Sequence, residues 1–173
     1  MHQSDDLIEL FNITFMAYQT RLVRGDDEPF YQAARSVDDC HQVIFAHGFY
    51  ASALHEIAHW CIAGPKRRLM DDYGYWYEPD GRSAEQQQEF EKVEIKPQAL
   101  EWAFSLAANF KFRVSVDNLG SDAGDWRLFQ HHVGQQLRCY QQQGFPKRAQ
   151  LFIDALTQFY TTHGAIEQVL KAI

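Results

Sequence analysis

Hydrophobic and polar positions along the chain follow helical and strand periods in turn. After Ser4-Asp5-Asp6, a typical helix cap, apolar residues recur at helical spacing as far as Tyr18 and predict a first helix. Four short stretches have the length or the alternation of strands: 20–23, 41–45, 74–77 and 112–116. Further helices are predicted at 51–63, 83–94, 98–110, 122–142, 146–162 and 165–173.

Together these elements predict an α+β fold, helix-rich, with a small sheet of three to four short strands. The 173 residues, 46% of them hydrophobic, suffice for one globular core, and neither a repeat nor a low-complexity linker divides them. We therefore predict a single domain over residues 1–173. Pro97 is expected to end the helix that contains Glu94 and to open the next one, because proline cannot donate a helical hydrogen bond.

Composition narrows the possible partners and the compartment. The formal net charge of −7 argues against a general nucleic-acid binder, because phosphate contacts need a basic face. The three cysteines are odd in number and lack C-x-x-C spacing, so they predict neither a disulfide framework nor a thiolate metal site. No signal peptide and no bilayer-spanning apolar stretch is visible, so we expect a soluble, cytoplasmic protein that does not act at a membrane.

The apolar stretch 51–63 contains the pattern H-E-x-x-H at His55, Glu56 and His59. Helix residues four apart lie on one face, so both imidazoles can bind one metal ion, while Glu56 can reach a bound water or a ligand histidine. Two protein ligands leave coordination positions open for a third ligand and for substrate, which is typical of a catalytic site. Two ordinary helix histidines are the alternative interpretation.

A third ligand has to come from outside this helix, and a carboxylate or a histidine is required. Glu94 is the first candidate and Glu91 the second, and Glu101 could share their face in the next helix. Solvent-exposed charges are the alternative interpretation of these glutamates. The pair His131-His132 is a rival, but adjacent helix residues point about 100° apart, so at most one of the two could bind.

Two chemistries fit two histidines and one carboxylate. In a zinc metallohydrolase, either a peptidase or a nuclease, Glu56 would be the general base that deprotonates a metal-bound water. In a non-heme iron oxygenase, the same ligands form a 2-His-1-carboxylate triad with positions open for dioxygen and a co-substrate. The spacing alone favours the hydrolase, although the third histidine of the metzincin extension is absent after His59.

Longer stretches around the motif resemble one enzyme family. The segments that carry the resemblance are 54–64 (LHEIAHWCIAG), 66–68 (KRR), 71–77 (DDYGYWY) and 93–102 (VEIKPQALEW). They are similar to the elongation factor P hydroxylase family of gammaproteobacteria, and the similarity extends over essentially the whole chain. The resemblance implies a monooxygenase that hydroxylates the lysine of translation elongation factor P that already carries a β-lysyl group.

The same resemblance implies the site residues and the cofactor. His55 and His59 would be metal ligands and Glu94 the carboxylate of the triad, with Fe(II) as the metal and dioxygen as the co-substrate. Glu56 would then orient a ligand histidine or manage protons, and would not need to be a base. The chain lacks the H-x-D…H arrangement of the usual 2-oxoglutarate oxygenases, so that co-substrate is not assumed.

A long, cationic lysyl-lysine arm suggests roles for the residues that follow the metal helix. Asp71 and Asp72 would pair with its ammonium groups, while Tyr73, Tyr75 and Trp76 would enclose it through cation–π contacts. A buried aromatic strand beside a solvated turn is the alternative interpretation. The basic triplet directly after the metal helix would dock an acidic protein surface, or simply lie in a solvated loop.

Overall fold

A computed structural model describes residues 2–72, 83–116 and 126–162. Its helices are α1 (Ser4–Thr14), α2 (Tyr50–Ile62), α3 (Ala84–Ala107), α4 (Trp126–Gln143) and α5 (Lys147–Tyr160), and its strands are β1 (Thr20–Arg24), β2 (Phe30–Gln32) and β3 (His41–Phe45). Within these ranges, no helix has the length and apolar character needed to cross a membrane. The predicted α+β fold, rich in helix with a small sheet, is confirmed.

The three strands form one sheet in the order β1-β3-β2. β1 and β3 are parallel, with Leu22 beside Val43, and β2 is antiparallel to β3, with Tyr31 on the other side of Val43. Leu22 and Val43 are buried in the core, so the sheet packs one face against the helices. The sequence predicted β1 and β3, but β2 was missed because its three residues are too few to show alternation.

The two faces of α2 differ in chemistry, and this difference orients the helix. Leu54, Ile57 and Ala58 are fully buried in the hydrophobic core. The H-E-x-x-H residues lie on the other face and are only partly buried. Because burial of the apolar face sets the rotation of the helix, the same burial decides where the two histidines point.

The C-terminal end of α2 is held by an arginine from α5. Arg148 donates hydrogen bonds to three backbone oxygens, those of Trp60 (2.8 Å), Cys61 (3.0 Å) and Ala63 (2.6 Å). Its guanidinium carbon also lies 4.8 Å from the centre of the Trp60 ring, and that ring packs edge-on against Phe15 in the core. Carbonyls of a last helical turn have no partner within the helix, so this cation satisfies them and complements the helix dipole.

α3 is one continuous helix through Pro97, so the predicted interruption there is wrong. Proline removes the hydrogen bond to the Val93 carbonyl and its ring crowds that carbonyl, but Val93 is 60% exposed, where water can hydrogen-bond to it. Packing of Phe104 in the core stabilises the helix beyond the proline. Glu94 and Glu101 therefore lie two turns apart on one face of a single helix.

Residues 110–116 lie outside the sheet, so the predicted strand at 112–116 is wrong. Every second side chain is partly buried, as the alternation indicated, but the backbone pairs with a side chain of α3 and not with a strand. Gln98 donates from Nε2 to Ser115 O (2.7 Å) and accepts from Ser115 N at Oε1 (3.0 Å). An extended segment is thereby held along α3, beside Glu94.

Candidate metal centre and adjoining cleft

Three side chains predicted as metal ligands converge between α2 and α3. The Nε2 atoms of His55 and His59 are 3.1 Å apart, and the Glu94 carboxylate lies 3.2 Å from His59 Nε2 and 3.5 Å from His55 Nε2. One ligand atom from each lies within 4.8 Å of the others, and no second group of this kind occurs among the described residues. Two imidazole nitrogens and a carboxylate oxygen are a suitable donor set for Fe(II) or Zn(II).

The structure separates the two glutamates that the sequence left as alternatives. Glu94 is 1% exposed and lies at the histidines. Glu91, one turn earlier, borders a groove between α3 and α4 together with His132 and Cys139. Its carboxylate accepts a hydrogen bond from Gln87 (3.3 Å). Proximity to the histidines therefore favours Glu94 as the third ligand.

A second carboxylate orients one of the histidines. Glu101 is 7% exposed, and its Oε2 lies 2.8 Å from His55 Nδ1. Because a carboxylate accepts, this contact favours a proton on Nδ1 and leaves the lone pair of Nε2 for a metal ion, as outer carboxylates do in many metal sites. The sequence suggested Glu101 only as a further ligand candidate. The signal for its role was its distance of seven residues from Glu94 on one uninterrupted helix.

Burial and charge shift the pKa values of the site in opposite directions. Burial lowers the pKa of His55, but the hydrogen bond with Glu101 and the charges of the surrounding glutamates outweigh burial and raise the pKa to about 10. Burial and the charge of His55 hold the pKa of His59 well below its usual value. Burial raises the pKa of Glu56 to about 7 and also raises the pKa of Glu101. Three carboxylates around two imidazoles give the site an excess of negative charge, which suits a divalent cation.

Two comparisons with known proteins bear on this site. A protein-family model described as elongation factor P hydroxylase matches residues 10–169. The chain belongs to the elongation factor P hydroxylase family. A curated relative from Haemophilus influenzae, named elongation factor P lysine hydroxylase, is 51% identical over 166 residues, which cover 95% of this chain and 93% of the relative. The resemblance drawn from the sequence motifs is confirmed.

In this member of the elongation factor P hydroxylase family, two of the three converging side chains, His55 and Glu94, line a cleft. The cleft has a volume of about 510 Å³, within the range of pockets that bind small ligands. His55, Glu94 and Glu101 line it, and so does Glu56. Glu56 and His59 also border a second, smaller cavity of about 40 Å³ on the side of β2. Glu56 thus lines both spaces, and its predicted contact with a bound water or a ligand histidine stays a prediction.

The residues predicted to bind the substrate of this hydroxylase family lie only partly within the described chain. Asp71 accepts hydrogen bonds from Ala33 N (2.9 Å) and from Arg35 (2.5 Å). Asp72 forms an ion pair with Arg67 and borders the smaller cavity beside the metal centre. The aromatic residues named with them are outside the described residues: Tyr73, Tyr75 and Trp76. A substrate-binding role for any of the five stays a prediction.

Proposed function

We propose that this chain hydroxylates the lysine side chain of translation elongation factor P that already carries a β-lysyl group. The metal would be non-heme Fe(II), and dioxygen would be the co-substrate. The observation that carries the proposal is the convergence of His55, His59 and Glu94 beside a cleft, in a family described as elongation factor P hydroxylases. The Haemophilus influenzae relative is named a lysine hydroxylase, which indicates that the relative hydroxylates a lysine.

The donor set fits the proposed metal. His55 Nε2, His59 Nε2 and a Glu94 oxygen would hold the ion, and three protein ligands leave other coordination positions open. Bound there, Fe(II) supplies the redox chemistry by which one atom of dioxygen enters a lysine C–H bond, while the other becomes water with two electrons from a reductant. The side chains of the protein position the metal ligands and hold the protons of the site.

Those side chains hold the ligands and the protons of the site in place. Glu101 accepts a hydrogen bond from His55 Nδ1–H, which keeps the Nε2 lone pair directed at the centre. Gln98 donates to Glu94 Oε2 (3.3 Å) and is itself held by the backbone of Ser115. Glu56, whose pKa is raised to about 7 by burial, can take up or release a proton near neutral pH at the wall of the cleft.

A zinc metallohydrolase is the alternative that the H-E-x-x-H spacing allows, with Glu56 as general base. The same three ligands would hold zinc, so the geometry of the centre is compatible with both chemistries. Membership of a hydroxylase family favours the hydroxylase. The two activities differ in one requirement that can be measured, because only the hydroxylase consumes dioxygen.

The deciding experiment is mass spectrometry of β-lysylated elongation factor P after incubation with this protein, Fe(II), a reductant and air. We expect the modified lysine to gain one oxygen atom. The gain should disappear under anaerobic conditions and with a chelator, and in the His59→Ala variant. His131→Ala removes an exposed histidine on α4 and should leave the activity unchanged, which makes it the matched control. Cleavage of a peptide or RNA with zinc, with no oxygen gained, would establish the hydrolase instead.

A further inference from the structure

The cleft beside the metal centre has one acidic wall residue that belongs to a different part of the fold. Glu56, Glu94 and Glu101 come from the two helices that build the centre, whereas Glu28 comes from the turn between β1 and β2. Glu28 is exposed, and no lysine or arginine in the described ranges forms an ion pair with it. Its carboxylate is therefore available to a ligand that enters the cleft.

An exposed aromatic side chain lies on the same cleft. Phe49, directly before α2, is 63% exposed and lines the cleft. Pro29, next to Glu28 in the chain, also lines this cleft. A carboxylate, an aromatic ring and a proline that line one cleft can together bind an alkyl ammonium group, through an ion pair and through cation–π and methylene contacts.

We propose that Glu28 and Phe49 bind the ammonium-bearing outer end of the substrate side chain while its inner lysine lies at the metal centre. This inference rests on the proposed function and adds the residues that select the lysyl extension. The described lining of the cleft carries four glutamates against one arginine, Arg113, and one of these glutamates, Glu28, lies outside the cluster at the metal centre. Such a lining attracts a cationic arm, and the positive charge of Arg113 disfavours its ammonium groups on that side.

The other acidic candidates are less suitable for this task. The carboxylate of Asp71 is already bound by Arg35 and by the backbone of Ala33, and that of Asp72 is paired with Arg67. Neither aspartate lines the larger cleft. Binding an ammonium group at either position would require an existing ion pair to be shared or broken, whereas Glu28 can accept it directly.

The test compares Glu28→Gln with Asp27→Asn. Both variants remove one negative charge from the same exposed turn, but only Glu28 lines the cleft. We expect Glu28→Gln to raise KM for β-lysylated elongation factor P about 2- to 5-fold, with kcat changed much less, because the contact acts in binding and not in the chemical step. Asp27→Asn should leave both constants unchanged.

Phe49→Ala tests the aromatic part against Phe159→Ala, which removes an exposed phenylalanine of α5 (51% exposed) away from the cleft. We expect only Phe49→Ala to raise KM. A KM for Glu28→Gln equal to that of the wild type, or a rise shared by Asp27→Asn, would overturn the proposal. The second outcome would indicate a general effect of net charge.

Direct binding separates this inference from the proposed function. The dissociation constants of β-lysylated and unmodified elongation factor P are measured by fluorescence anisotropy with the metal-loaded wild type and with Glu28→Gln. We expect the wild type to prefer the β-lysylated form and the variant to lose most of that preference. This readout needs no turnover, so a wild type that binds with this preference but does not hydroxylate would refute only the proposed function. Equal affinity of the wild type for both forms would refute the role of Glu28.

Discussion

Replacing Glu101 by glutamine tests whether the outer carboxylate makes His55 a good metal ligand. Glutamine has almost the same size and can still accept the Nδ1 proton, so the substitution removes the charge and little else. The contact is short, 2.8 Å, and Glu101 is 7% exposed, so solvent screens it weakly. Loss of an outer-shell partner typically lowers metal affinity about 10- to 100-fold, which corresponds to about 1.4–2.8 kcal/mol.

The matched control is Glu91→Gln. It makes the same change on the same helix, but the Glu91 side chain borders the groove between α3 and α4 and lies outside the cluster of ligands. Anaerobic calorimetric titration with Fe(II) measures both variants. We expect Glu101→Gln to bind Fe(II) about 10- to 100-fold more weakly than the wild type and Glu91→Gln to bind it with unchanged affinity. Unchanged affinity in Glu101→Gln, or an equal loss in both variants, would refute the role assigned to Glu101.

Three further predictions concern stability. Arg148→Met removes three hydrogen bonds from the end of α2 and should lower the free energy of unfolding by about 2–4 kcal/mol in urea titration, whereas Lys147→Met, its exposed neighbour, should change it little. Gln98→Leu removes the two hydrogen bonds that join α3 to the backbone of Ser115 and should cost about 1–3 kcal/mol; a cost no larger than that of exposed Gln88→Leu would contradict this. Fe(II) at 100 times its dissociation constant should stabilise the fold by about 2.7 kcal/mol and raise Tm by about 5–11 °C, an effect that a chelator reverses and that His59→Ala lacks.

Local spacing in the sequence predicts part of the candidate ligand set but not all of it. His55 and His59 were predictable as a pair because four residues along any helix return a side chain to the same face. The choice between Glu94 and Glu91 was not predictable in this way, since both lie on the same helix at about the right distance along the chain. The packing of α3 against α2 separates the two glutamates, because it directs Glu94 at the histidines and Glu91 toward α4, and it thereby favours Glu94.

The two wrong predictions have a similar origin. Pro97 was expected to break α3, but the cost of one lost hydrogen bond is smaller than the stabilisation from core packing on both sides of it. The alternation at 112–116 is present in the burial of the side chains, but the backbone there forms hydrogen bonds with the side chain of Gln98 and not with a strand. At Pro97, core packing outweighed the local preference of proline to end a helix. At 112–116, hydrogen bonds with a side chain of α3 replaced the strand pairing that the alternation predicted.

The sequence by itself therefore determined the helix-rich α+β class, the family and the pair of histidines, because periodicity and motif spacing are properties of neighbouring residues. Only the tertiary structure decided that Glu94 completes the cluster, that Glu101 orients His55, and that Glu28 lies on the same cleft as the metal centre. These relations connect α2, α3 and the β1–β2 turn. The relative positions of these elements depend on how the helices and the sheet pack in one hydrophobic core. That packing is cooperative and long-range, so no local pattern contains it.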